Sequence, residues 1–261
     1  MGTRSNLYLI IMAKKKTKDS QQVPEFKTYK ITGEQFFSTQ IYFKDLENSK
    51  DINTKLIKNL TAWKNRDEKG IVRSNSLGWH SAVDMHHRKE YNYIIKELFK
   101  MQSEIFKHES YNTNTEAYCD NMWANINYKY SHNRNHVHPG ALWAGCYYVQ
   151  APKHCGRIWF TDPRGEAHCQ IPIFENTKDI QRPRNSWREV YYEPVPGRII
   201  MFPGWLTHEV EPNMNKLKGV DSWRISLAFN FGQRWKQGQY NAPPKGHDSQ
   251  GIITESNIPT T

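Results

Sequence analysis

The stretch PGRIIMFPGWLTHEVEP, residues 196–212, decides the fold. A Pro-Gly turn launches an apolar run that stops at Phe202-Pro203, a second turn follows, and His208 stands just past it. Short apolar runs bounded by turn residues are the mark of buried strands. The texture repeats from about residue 115 onward: MWANINYKY (122–130), LWAGCYYV (142–149), GRIWFTD (156–162) and WRISLAFNF (223–231) are separated by Pro, Gly and Asn. Evenly spaced aromatic and β-branched runs predict a β-sandwich or barrel. The expectation is a mainly β fold with flanking helices, a double-stranded β-helix (jelly-roll, cupin-like) of about eight strands.

Upstream, EQFFSTQIYFKDL (34–46) reads as a strand. Ile52, Leu56, Leu60 and Trp63 then repeat at helical spacing behind a cap at Ser49 or Asp51. Ile94, Ile95, Leu98, Phe99, Met101, Ile105 and Phe106 form the apolar stripe of a second helix within 90–108. This gives a basic disordered tail (1–25), a strand and helix support region (26–112), the β-helix core (113–235) and a flexible C-terminal tail (236–261). Met12 opens MAKKKTKDSQQ like a start, so residues 1–11 are expected to be an upstream extension.

The chain of 261 residues carries a net charge of +10, but its clearest lysine cluster, Lys14, Lys15, Lys16 and Lys18, lies in the polar tail. Tail charge solvates a segment without identifying a nucleic-acid substrate, so a nucleic-acid partner is not favoured. Leu7–Ile11 is too short for a membrane span. No membrane partner is expected; a cytoplasmic location is, and the oligomeric state stays open. Cys119, Cys146, Cys155 and Cys169 contain no tight Cys-x-x-Cys pair, which argues against a disulfide scaffold. A zinc clip between His154-Cys155 and His168-Cys169 is less favoured than a plain strand pair.

Chemistry enters at RNHVHPGALW (134–143). Alternate residues of a strand share a face, so His136 and His138 project together. Such pairs also occur on solvated strands, and a third ligand is what makes a metal site. His208 supplies one, because a β-helix brings the ends of distant strands to one mouth. Three facial ligands with open positions suit a redox-active iron.

The ordered set HVHP, GCYYV, GRIWFTDPR, PGRIIMFPGWLTHEV and WRISLAFNF resembles the Fe(II)- and 2-oxoglutarate-dependent oxygenases, in particular the branch with HxHP, YY and RxS motifs in this order. SNSLGWHS (74–81) and WANIN (123–127) add to the likeness, which spans roughly residues 74–232. The resemblance implies an enzyme using Fe(II), 2-oxoglutarate and O2. It would hydroxylate an amino-acyl, protein or small-molecule substrate and release succinate and CO2. It implies His136, His138 and His208 as metal ligands. Arg224 would bind the distal carboxylate of 2-oxoglutarate, helped by Ser226 on the same strand face, with Tyr148 on that carboxylate as well. A guanidinium presents a planar fork to a carboxylate where lysine offers a point charge.

His138 departs from the family pattern, because its position usually holds Asp or Glu. Asp162, in a DPR context that reads as a turn, is the alternative third ligand. Trp123, Asn125 and Asn127 share a strand face, and with Trp205 they are candidates for the substrate pocket. His80, His86 and His87 read as surface or cap residues. Two rivals share the three histidines: a cupin-type dioxygenase that needs neither 2-oxoglutarate nor Arg224, and a non-catalytic jelly-roll binding protein.

Overall fold

The computed structural model describes residues 5–7, 31–34, 36–170, 172–173, 175, 184–236 and 253–258. The chain divides into two units, Met1–Thr39 and Gln40–Thr261. In the first, β1 (Ser5–Leu7) pairs antiparallel with β2 (Ile31–Gly33). Most of the basic tail, including the lysine cluster, lies outside the described residues.

The second unit holds β3 (Tyr42–Asp45), α1 (Ser49–Arg66), β4 (Asn75–Ser76), β5 (Trp79–His80), α2 (Asn92–His108), β6 (Thr115–Asn127), β7 (His132–His136) and β8 (Trp143–Gln150). It continues with β9 (Ile158–Thr161), β10 (Glu189–Tyr192), β11 (Arg198–Pro203), β12 (His208–Val210), β13 (Arg224–Trp235) and β14 (Ile253–Thr254). One sheet runs β14-β6-β13-β8-β11-β3, with β5 also on β6; the other runs β10-β9-β12-β7-β4. Every paired strand is antiparallel. This is the jelly-roll, with more strands than the eight expected.

Alternation along β13 explains the layering. Ile225, Leu227, Phe229 and Phe231 are buried in the larger apolar cluster, against Leu56, Leu60 and Trp63 of α1 and Ile94, Ile95, Leu98 and Phe99 of α2. Burying each such side chain contributes about 1.5–3 kcal/mol. Opposite residues in an antiparallel pair share a face. Ser226 stands opposite Tyr148, and Asn230 opposite Ala144. Tyr148 and Ala144 pack with Phe202, Ile158, Phe160 and Leu206 in a second cluster between the two sheets. One face of the large sheet therefore packs on helices, and the other faces the interior of the roll.

Three local expectations are corrected. The first helix is preceded by Asn48 in the left-handed conformation, φ 56°, with Ser49 as its first residue; neither Ser49 nor Asp51 caps it. The strand expected over 34–46 is confined to Tyr42–Asp45, the only part of that run in register with β11. Ile253 and Thr254, inside the segment expected to be flexible, are buried and pair with Cys119 and Tyr118 of β6. No helix among the described residues is long and apolar enough to cross a membrane.

Candidate metal and co-substrate site

The three histidines converge. His136 closes β7 and stands directly opposite His208, the first residue of β12. His138 lies two residues beyond its strand, where its backbone N–H donates to the carbonyl of Gly204 at 2.8 Å. Gly204 also lets the turn after His138 lie close, since a Cβ there would sit 2.3 Å from the Ala141 carbonyl oxygen. The potential ligand atoms of His136, His138 and His208 all lie within 4.8 Å of one another. They are the one such group of three or more among the described residues.

Hydrogen bonds select the nitrogens. His136 Nδ1 meets the Arg134 carbonyl at 2.6 Å, and His208 Nδ1 meets the Leu206 carbonyl at 2.9 Å. A carbonyl only accepts, so both Nδ1 atoms carry the proton and both Nε2 atoms present lone pairs. The Nε2 atoms of His138 and His208 stand 3.3 Å apart. Burial holds His138 down at about 4 and His208 at about 3, and the His136 charge adds to both. Burial lowers His136 as well. At neutral pH the cluster is three uncharged imidazoles turned on one another. Nitrogens about 2.1 Å from a common ion and at right angles stand about 3 Å apart. A cation among them fits the donor set.

Arg224 completes the second half of the site. Its side chain is 2% exposed, and Nη1 donates to the carbonyls of Cys155 at 2.6 Å, Glu211 at 3.0 Å and Gly156 at 3.4 Å. Among the described residues Nη2 is buried with no hydrogen-bond partner and no carboxylate forms an ion pair with the guanidinium; Glu211, whose backbone carbonyl it meets, is paired instead with Arg157. Burial lowers the Arg224 pKa, though a guanidinium stays charged in proteins. An unpaired buried cation is costly, so this geometry calls for an anion.

Gly156, at φ +95°, allows the carbonyl cradle to form; a Cβ there would lie 2.3 Å from the Glu211 oxygen and 2.7 Å from Arg224 Nη1. Glu211 is locked in turn, its carboxylate held by Arg157 at 2.7 and 2.9 Å and by Trp159 at 2.7 Å. The Arg157 hydrogen bond is the main reason its pKa falls to about 2.

Cross-strand register orders the interior face into rows. Ala228 stands between Trp123 and Cys146, Ser226 between Asn125 and Tyr148, and Arg224 opposite Asn127. Trp123 stacks on His138, with ring centroids 5.9 Å apart. Arg224 is thus two rows from the Trp123 row, about 13 Å along the strand, a span its own side chain shortens. Tyr148 is buried beside Arg224, and burial drives its hydroxyl pKa well above the ordinary value.

The other candidates are dispersed. Asn125 is buried with its Oδ1 unpartnered. Asn127 donates to Asn133 at 3.3 Å and accepts from Asn213 through its backbone, a structural role. Trp205 is 55% exposed and does not wall the interior. The Asp162 carboxylate takes both Arg164 contacts, at 3.0 and 2.8 Å, and stays outside the histidine group. All four cysteines are free, and no His-Cys group forms among the described residues. His86 is buried and His87 lies against it, apart from the cluster.

His80 was missed by sequence reasoning. It is buried rather than superficial, and its ring lies 5.4 Å from Trp123 and within 8° of parallel. The two-residue strand β5, which places His80 opposite Asn125, is too short to leave a periodic signal.

Residues 121–230 match the family model described as "Putative 2OG-Fe(II) oxygenase". No curated protein matches the chain. Among solved structures, the α-ketoglutarate-dependent carbocyclase SnoK from nogalamycin biosynthesis aligns with a TM-score of 0.51 at 8% identity, over 74% of this chain and 80% of its own. A Pseudomonas putida prolyl-4-hydroxylase aligns with a TM-score of 0.49 at 12% identity, over 74% and 92%. At such identities SnoK bears on the fold alone, which is the jelly-roll described above. The segment matched by that family model contains the three histidines and Arg224.

Proposed function

We propose that this chain is an Fe(II)- and 2-oxoglutarate-dependent hydroxylase of an amino-acyl, protein or small-molecule substrate, releasing succinate and CO2. His136, His138 and His208 hold the iron through Nε2, and Arg224 takes the distal carboxylate of 2-oxoglutarate, with Ser226 and Tyr148 on the same face. When bound, the iron with 2-oxoglutarate and O2 supplies the oxidising power for C–H hydroxylation. The chain's own residues bind, orient and exclude water. The carbonyls of Cys155, Gly156 and Glu211 fix the guanidinium so that its free edge meets a carboxylate without reorganising. Phe202 and Phe160, with ring centroids 4.6 and 5.9 Å from His208, keep that side dry.

The observation that carries this reading is Arg224 Nη2, buried and unpartnered in a roll that also gathers three neutral histidines. A cupin-type dioxygenase that uses no 2-oxo acid has no need of it. The test is an anaerobic titration of the purified protein with Fe(II) and 2-oxoglutarate, following the visible charge-transfer band of the chelate. The band is expected in wild type, lost in His208→Ala and weakened in Arg224→Ala. An undiminished band in Arg224→Ala, or iron bound without a band, would favour the cupin-type enzyme. No iron binding would leave a binding module.

A further inference from the structure

Among the described residues six non-glycines adopt the left-handed backbone, and three of them meet at one end of the roll: Leu77 at φ 60°, Tyr130 at φ 68° and His154 at φ 63°. Glycine or asparagine holds such a backbone at little cost, whereas a bulky side chain there must be enforced by its surroundings. Here four loops enforce it by hydrogen bonding to one another. The Ser131 hydroxyl donates to the Leu77 carbonyl at 2.8 Å, the Tyr130 N–H to the Asn213 carbonyl at 2.8 Å, and the Met214 N–H to the His154 carbonyl at 2.9 Å. The fold gains little from the side chains themselves. Leu77 is 72% exposed and Tyr130 51%, and Met214 and Leu217 on the adjoining loop are 54% and 55% exposed.

The charge of these loops has one sign. Residues 71–78, 128–132, 151–156 and 212–219 contain no Asp or Glu. Arg73, Lys129, Lys153, Lys216 and Lys218 are all exposed, and none forms an ion pair among the described residues. Of the flanking acids, Glu211 is tied to Arg157, and Asp221 follows two residues after Gly219. This end of the roll is the one behind Arg224, whose guanidinium meets the Cys155, Gly156 and Glu211 carbonyls, and not the one where the histidines gather.

Composition selects the occupant. A second copy would set like charges against each other. Protein interfaces are depleted in lysine, and surfaces for single-stranded nucleic acid stack bases on several aromatic rings where this one offers Tyr130 alone. Aliphatic side chains ringed by lysines suit an anionic bilayer, in which apolar groups enter the acyl boundary and each lysine is drawn to the headgroups. We propose that this end of the roll docks on an anionic phospholipid membrane, with Leu77, Tyr130, Met214 and Leu217 entering the interface and the lysines meeting the headgroups. The expectation of no membrane partner rested on the lack of a spanning segment, which a peripheral contact does not need.

The experiment is co-sedimentation of the full chain with vesicles of phosphatidylcholine alone and of phosphatidylcholine and phosphatidylserine at about 7:3, at low and high salt. Every protein compared keeps the basic tail, so its contribution is common to all. Wild type is expected to bind the mixed vesicles, less at high salt, and to bind phosphatidylcholine weakly. Lys216→Gln with Lys218→Gln should weaken binding to the mixed vesicles by about 25-fold, about fivefold for each lysine. Leu77→Asn with Leu217→Ser should weaken it by about tenfold or more. Leu77→Asn alone should melt no lower than wild type, because asparagine suits the left-handed backbone, whereas a leucine that served the fold would be missed. No vesicle binding by wild type, equal binding to phosphatidylcholine alone, or wild-type binding in either double variant overturns the proposal. A lower melting point in Leu77→Asn does so too, by making that side chain structural. If only the lysine variant loses binding and wild type also binds a single-stranded RNA oligonucleotide through the same lysines, the surface is one for nucleic acid instead.

Discussion

The two faces of β13 are built to opposite specifications. Toward the helices, Ile225, Leu227, Phe229 and Phe231 are at most 1% exposed and fill the larger cluster. Toward the interior of the roll stand Arg224, Ser226, Ala228 and Asn230, and this face leaves Arg224 Nη2 and Asn230 Oδ1 buried without partners. Buried polar atoms are normally satisfied, and leaving them otherwise costs free energy. One face of a single strand is saturated with contacts, while the other holds donors and acceptors in reserve for something that binds. Stability and function are separated by the period-2 alternation of a strand rather than by distance.

The largest effect should come from breaking the saturated face. Phe229 packs on Gly145, where even a Cβ would approach its ring to 2.4 Å, so no neighbour can move in to fill the space. Phe229→Ala is expected to cost about 3–5 kcal/mol of stability in denaturant titration. Metal affinity of the remaining folded protein should stay unchanged. A parallel loss of affinity would show that the two faces are not independent.

On the reserved face the sign pattern reverses. Arg224→Met removes a buried charge together with its three carbonyl contacts, opposing changes that should leave metal-free stability within about 2 kcal/mol of wild type. Binding of 2-oxoglutarate to the Co(II) form, read by calorimetry, should weaken by about 2–5 kcal/mol. A stability loss as large as that of Phe229→Ala would make Arg224 a structural cation instead.

The saturated face was the legible one. The apolar stripe of α2 and the short apolar runs in GRIIMFP and WRISLAFNF are local patterns, and the structure buries the apolar residues of the stripe except Phe106, which is half-buried, together with those from Ile199 to Phe202 and Ile225, Leu227, Phe229 and Phe231. The convergence of His136, His138 and His208 was legible as well, because strand ends meet at one mouth in a roll. What lies behind the ligands was not. Trp123 and Asn125 were read as lining for a substrate. Trp123 instead stacks against His138 and His80, and that depends on β5 pairing with β6 across more than forty residues. Asn230 meets Asn121 only through a register fixed by twelve residues of β13. Such contacts are set by long-range register, which no window of sequence contains.

A third effect appears in pH. His138 and His208 have folded pKa values near 4 and 3, below their unfolded value of about 6.5. Between those limits the unfolded chain binds more protons than the folded one, so metal-free stability falls as pH drops through 6.5. Each histidine contributes up to about 1.4 kcal/mol per pH unit, until its folded pKa is reached. Urea midpoints at pH 7, 6 and 5 should decline less steeply in His208→Ala than in wild type. Equal slopes would mean the cluster is not held neutral.

The smallest expected effect sharpens the boundary of the reserved face. Asp162 follows Thr161, the last residue of β9, and is the nearest carboxylate downstream of His138 in the sequence, yet its oxygens are engaged by Arg164 at 3.0 and 2.8 Å. The Arg164 hydrogen bond is the first cause of its lowered pKa. The Asp162–Arg164 pair is partly solvated, with the arginine side chain 42% exposed, so its net contribution should be below about 1 kcal/mol. Asp162→Asn should therefore leave Co(II) affinity within about twofold of wild type, whereas a first-sphere ligand would cost far more. A large loss would mean that Arg164 releases the carboxylate to the metal on binding, and that the site closes as two histidines and an aspartate. An unchanged affinity leaves His138, stacked on Trp123 and on His208, as the third ligand.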